Sequence, residues 1–99
     1  MYYSFKHGPV NVHYLTAPYE LLVKAFGDDG TTAPRDNYKS MCQWYPVPDV
    51  EVYDYKVGRC YTNNGLEPEQ ITTWNVQGET EAIESMLALL TAAGGIRKY

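Results

Sequence analysis

The run Val50-Glu51-Val52-Tyr53-Asp54-Tyr55-Lys56-Val57-Gly58-Arg59 constrains this chain more than any other stretch. β-branched and aromatic residues share it with charged ones in a pattern that fits a strand. At period two, Val50, Val52, Asp54 and Lys56 share one face, and Glu51, Tyr53, Tyr55 and Val57 the other. Either the valines or the tyrosines can point inward. Tyr38-Lys39-Ser40-Met41-Cys42-Gln43-Trp44-Tyr45 also reads as a strand. Between the two lies Pro46-Val47-Pro48-Asp49, where each proline fixes φ and lacks a ladder donor. The expectation is a hairpin with a stiff loop. Asp54 and Lys56 are same-face neighbours able to form a surface ion pair, which is worth ~0–1 kcal/mol.

The flanking segments supply the remaining elements. Pro9 to Leu15 alternates Val10, Val12 and Tyr14 with Asn11 and His13, a strand pattern. Thr16 to Gly27 reads as a short helix: Thr16 caps it, Pro18 sits in the first turn and Gly27 ends it. Tyr19, Leu22, Val23 and Phe26 form its apolar stripe, and Glu20 and Lys24 stand one turn apart. Asp28 to Asn37 has turn chemistry throughout, and Asp28-Asp29-Gly30 lacks the spacing of a calcium loop. Gly58 to Gln70 is a second loop, long for so small a domain, with the turn signal Asn63-Asn64-Gly65. Ile71 to Gln77 is a strand with Thr72, Trp74 and Val76 on one face. A helix follows over Thr80 to Ala93, burying Ile83, Met86, Leu87 and Leu90. Gly94-Gly95 stops it, and Ile96 to Tyr99 reads as a frayed tail. The predicted order is β-α-β-β-β-α: an α+β domain spanning residues 1–99, with an antiparallel sheet of three to four strands and both amphipathic helices on one face.

Four motifs carry a family resemblance. They are Pro18-Tyr19-x-x-Leu22-x-x-x-Phe26-Gly27, Tyr38-Lys39 with Trp44, Val52-Tyr53-Asp54-Tyr55-Lys56-x-Gly58, and Ile71-Thr72-x-Trp74-Asn75-Val76-x-Gly78. Together, over residues 16–90, they resemble a family of small single-domain proteins of phages and mobile elements that has no assigned activity. The chain departs from that pattern in three places. Gln43 replaces an acid before Trp44, Pro46-Val47-Pro48-Asp49 replaces a glycine-containing turn, and Asn75 replaces a histidine. Any chemistry the acid or the histidine performed in relatives is closed to this chain in that form.

Composition narrows the function classes. A net charge of −4 with eight scattered basic residues gives no direct electrostatic grip on nucleic acid. Eight acids lie between Asp49 and Glu84, facing only Lys56 and Arg59. Ten tyrosines in 99 residues suit strands and contact surfaces. No apolar run approaches the ~20 residues that span a bilayer. No leader-like segment opens the sequence, so Cys42 and Cys60 are expected as thiols of a cytoplasmic protein in the host cell.

No catalytic motif stands out. His7, His13, Cys42 and Cys60 lack metal-ligand spacing, and no glycine-rich loop opens a helix to cradle phosphate. The expectation is therefore no metal, no cofactor and no catalytic residue. Trp44 and Trp74 read as core. Two functions remain. The first is a phage or mobile-element accessory protein that binds a host protein, such as an inhibitor of a defence system of the CRISPR–Cas kind. It would work through an acidic, Tyr-rich face, with a homodimer as a further partnership. The second is a small-ligand or nucleotide binder, or a minor enzyme, using the 59–65 loop. Candidate contact residues are Tyr53, Asp54, Tyr55, Lys56, Arg59, Tyr61 and Asn63.

Overall fold

The computed structural model describes residues 1–27 and 40–98. The expected 28–37 loop, the Tyr38-Lys39 motif and Tyr99 lie outside the described residues. The fold is α+β: two helices cover one face of an open six-stranded sheet in the order β3-β4-β5-β2-β1-β6. The strands are β1 (Tyr2–Lys6), β2 (Val12–Thr16), β3 (Gln43–Trp44), β4 (Glu51–Tyr53), β5 (Thr73–Gln77) and β6 (Ile96–Arg97). The helices are α1 (Tyr19–Phe26) and α2 (Thr80–Ala92), and a 3₁₀ turn spans Pro68–Gln70.

The sheet is larger than the sequence pattern implies, and it is mixed. All neighbours pair antiparallel except β1 and β6, which run parallel. Tyr3 is buried and Phe5 half-buried on the helix side of β1, whereas Tyr2 and Lys6 are exposed. An aromatic residue on each face hides the alternation. The expected frayed tail is the edge strand β6. Gly94, at φ 97°, turns the chain out of α2. The N–H of Ile96 then donates to the Met1 carbonyl (2.8 Å) and that of Lys98 to the Tyr3 carbonyl (2.7 Å).

Element ends shift for local reasons. The strand expected from Pro9 begins at Val12, because Val10 (φ 55°) and Asn11 (φ 61°) form the two central positions of a tight turn closed by Val12 N–H to Pro9 O, 3.2 Å. That is the primed turn whose twist suits a hairpin, with an exposed β-branched residue where Gly or Asn is usual. Thr16 ends β2 instead of capping α1, and Pro18 holds the cap position in extended backbone. In α1, Leu21 and Leu22 are fully buried while Tyr19, Val23 and Phe26 are half-buried, so the inward stripe centres one residue from the expected one. In α2, Ile83, Met86, Leu87 and Leu90 are the buried positions, as the spacing predicts. The Pro46–Asp49 link does join β3 and β4 antiparallel. Pro48 and Asp49 (φ 67°) turn the chain, and Val50 N–H reaches the Val47 carbonyl at 3.2 Å.

Aromatic rings fill the space between α1 and the sheet. The Trp44 and Trp74 ring centroids are 5.3 Å apart and nearly perpendicular. Tyr19 lies within 6.0 Å of Trp44 and 6.3 Å of Trp74, and Phe26 meets Trp44 at 6.2 Å. Each indole N–H has a carbonyl acceptor: Ala17 for Trp74 (3.0 Å) and Gly27 for Trp44 (3.2 Å). The rings thus bury large apolar area without stranding a donor. On the opposite face of the sheet, Gln43, Tyr53, Asn75, Tyr14 and Lys6 align across five strands.

Near the β1–β2 turn, His13 is buried and its Nδ1 accepts the Gly8 N–H at 3.0 Å, which requires a neutral ring with the proton on Nε2. His7 stacks edge-on against it at 4.9 Å. Burial first and the His7 charge second hold His13 below its ordinary range. In the unfolded chain His13 takes its proton near pH ~6.5. Stability from the neutral ring is therefore complete above that pH and declines as pH falls toward the lower folded value. The melting temperature should drop on acidification below about pH 6.5. The slope should flatten in His13→Gln, whose carbonyl accepts without titrating. An unchanged slope in the variant would assign the effect to other groups.

Candidate functional site

The strand that dominates the sequence is short, and Asp54 explains why. Backbone pairing in β4 stops at Tyr53, and the next residue turns its carboxylate onto the incoming chain. The Met41 N–H donates to both carboxylate oxygens (2.9 and 3.0 Å) and the Cys42 N–H to Oδ1 (2.7 Å). Ser40 Oγ donates to the Asp54 carbonyl at 2.5 Å. Asp54 is fully buried, with Val50 and Val52 on its side of the strand. The valine face is thus the inward one, and Asp54 pins residues 40–42. Lys56 (φ 62°) leaves the strand and stands exposed, so the expected surface pairing of Asp54 with Lys56 has no place here.

From Val57 to Leu66 the chain closes on itself. Leu66 N–H donates to the Val57 carbonyl (2.8 Å) and Arg59 N–H to the Leu66 carbonyl (2.9 Å). Inside, Tyr61 N–H reaches Gly58 O (3.0 Å) and Gly65 N–H reaches Thr62 O (2.9 Å). Arg59 Nε and Glu67 Oε1 meet at 2.6 Å across the neck. Glu67 also heads the 3₁₀ turn, its N–H donating to Gln70 Oε1 at 2.9 Å. A compact surface loop with adjacent ends is the Ω type, frequently functional. The neck depends on Gly65, where a Cβ would stand 2.2 Å from the Gly58 carbonyl oxygen. Gly65→Ala must open this neck. It should raise amide exchange across 58–66 and lower stability by about 1–3 kcal/mol. Unchanged exchange there would show that the neck does not set the loop's order.

Three candidate residues converge on this loop. The Lys56 ammonium lies over the Tyr55 ring (5.2 Å to the centroid) and the Tyr61 ring (5.8 Å). Both tyrosines are exposed, so the group forms an aromatic ledge around a fixed positive charge. Arg59 is held at the neck, and Asn63 is exposed on the same loop. Tyr53 and Asp54 are not on this surface: both are buried, and Tyr53 sits on the sheet face away from the helices.

One hollow adjoins the loop, and a second shares a wall with the first. The smaller, about 420 Å³, is lined among the described residues by Tyr19, Ser40, Met41, Arg59, Cys60, Glu67, Pro68 and Glu69. The larger, about 650 Å³, is lined by Pro18, Tyr19, Glu20, Val23, Lys24 and Glu69. Tyr19 and Glu69 belong to both. Cys60 stands at the smaller one, where desolvation first and the Asp54 carboxylate second push its thiol up. The thiolate needed for nucleophilic work is therefore disfavoured. Cys42 is buried in the core, and the two cysteines are not bonded to one another. Among the described residues no three His, Cys, Asp or Glu side chains gather as a metal site, and no helix is long and apolar enough to cross a membrane.

Sequence reasoning singled out Tyr61 through loop length and composition and read Tyr55 and Lys56 as strand residues, without bringing the three together, and it named neither hollow. Tyr19 scans as one more stripe residue, and Glu20 as the partner of Lys24. Nothing local signals that Glu69, some fifty residues on, shares a wall with Tyr19. Compared with known proteins, the chain matches no family model, no curated protein and no solved structure.

Proposed function

We propose that this chain is a small binding protein whose partner is another protein, engaged through the Tyr55–Lys56–Tyr61 ledge. The observation that carries the reading is the ledge itself. Two exposed aromatic rings flank an ammonium at the entrance to a loop closed by its own backbone bonds. Rigid tyrosines offer large contact area with little ordering cost, and the charge sets orientation. In the phage or mobile-element setting that the family resemblance implies, the partner is a host protein, and binding blocks it, as an inhibitor of a defence system does.

The test is capture of the partner from host extract by the intact protein, followed by sizing of the purified complex. A stoichiometric complex is expected. It should be lost in Tyr55→Ala/Tyr61→Ala and weakened in Lys56→Glu, while both variants keep the wild-type melting temperature. A complex that survives both sets of substitutions places the contact elsewhere and overturns the reading.

A further inference from the structure

We propose that the larger hollow, over Tyr19, binds a small organic cation with an apolar body. This site is separate from the ledge and stands or falls without it. Its volume, about 650 Å³, is that of a small-molecule cleft. Pro18, Tyr19 and Val23 supply an apolar lining. The Tyr19 ring is backed by the indoles of Trp74 and Trp44, so it cannot retreat when a ligand presses on it. Among the described lining residues, Glu20 and Glu69 carry the negative charge. Both are exposed, and neither forms an ion pair among the described residues. Lys24 is the only basic residue among the described lining, but its ammonium is directed elsewhere. Nζ lies 3.8 Å from where a Cβ on Gly94 would stand, beside the C-terminal end of α2. Cations are favoured at that helix end. The stem of Lys24 thus lines the hollow while its charge serves α2.

An apolar body can lie against Tyr19, Pro18 and Val23 while its ammonium meets Glu20 and Glu69. An anion of the same shape meets two carboxylates and is rejected. That contrast decides the probe set: phenethylammonium, the neutral 2-phenylethanol and the anionic phenylacetate, which carry a phenyl ring on a short chain and differ in charge. Each is titrated into the isotopically labelled full chain while amide resonances are followed. Phenethylammonium should give saturable shifts confined to residues 19–24 and Glu69, with 2-phenylethanol weaker and phenylacetate inert. In Glu20→Gln/Glu69→Gln, affinity for phenethylammonium should fall by roughly fivefold or more, the loss expected for about 1 kcal/mol of charge pairing. Both positions are exposed, so the variant should fold as the wild type does. Equal binding of all three probes, unchanged affinity in the double variant, or shifts mapping outside the hollow would each overturn the proposal. A Lys-bearing peptide that shifts these amides where phenethylammonium does not would replace the small molecule by a protein segment.

Discussion

Replacing Asp54 by Ala should lower the unfolding free energy by about 3–5 kcal/mol, because it removes a buried acceptor shared by two backbone donors. Met41 N–H and Cys42 N–H both end on that carboxylate, which is itself fully buried. Bonds to an ionised acceptor are the stronger kind. A shift of ~1 kcal/mol moves the melting temperature by ~4–8 °C in a domain of this size, so the expected fall is on the order of 15–30 °C. Asp54→Asn separates charge from geometry. It retains one carbonyl acceptor, and it should recover roughly half of the loss if hydrogen bonding dominates. Thermal melts of the two variants beside the exposed control Glu69→Gln make the comparison. A fall below about 5 °C for the alanine variant would contradict the role assigned to the carboxylate.

Trp74→Ala should be as damaging, by about 3–5 kcal/mol, through the cavity left beneath α1. Trp74 is completely buried at the junction of β5, α1 and Trp44. Trp74→Phe keeps much of the apolar volume but removes the donor to the Ala17 carbonyl, and should cost about 1–2 kcal/mol. The alanine variant should also loosen Tyr19, since the ring rests on this indole. Denaturant unfolding gives the two energies. Equal losses for Phe and Ala would mean that the hydrogen bond, not the packing, holds this corner.

The sequence was informative where one residue's surroundings are set by its near neighbours. The α2 stripe Ile83, Met86, Leu87 and Leu90 follows from helical spacing alone. The Pro48 turn follows from proline's fixed φ, and the burial of Trp74 and Val76 on one face of β5 from the period-two alternation of a strand. It was less informative where a side chain competes with the backbone. Val50 to Arg59 looks like one long strand, but Asp54 bonds backbone groups a dozen positions back, and pairing ends at Tyr53. It was silent where sheet edges recruit distant chain. Ile96 has no pattern around it, and only the free edge of β1 makes it a strand. Tyr61 was singled out because loop composition is local, but its meeting with Lys56 depends on the chain leaving the strand after Tyr53. The hollow was not, because Glu69 reaches Tyr19 only through the tertiary fold.

The parallel pairing of β1 with β6 also bears on biosynthesis. Tyr3 completes its contacts with Thr91, 88 residues later, and with Lys98. A chain emerging from the ribosome can assemble the β4–β5 pair and its hairpin early, because those contacts are close in sequence. The buried face of β1 has no cover until α2 follows it out. Translation must therefore reach the last described strand before this corner of the sheet can close. Until then Tyr3 and the β1 edge are open to the nascent chain's surroundings, and chaperone holding or aggregation competes with folding at that edge.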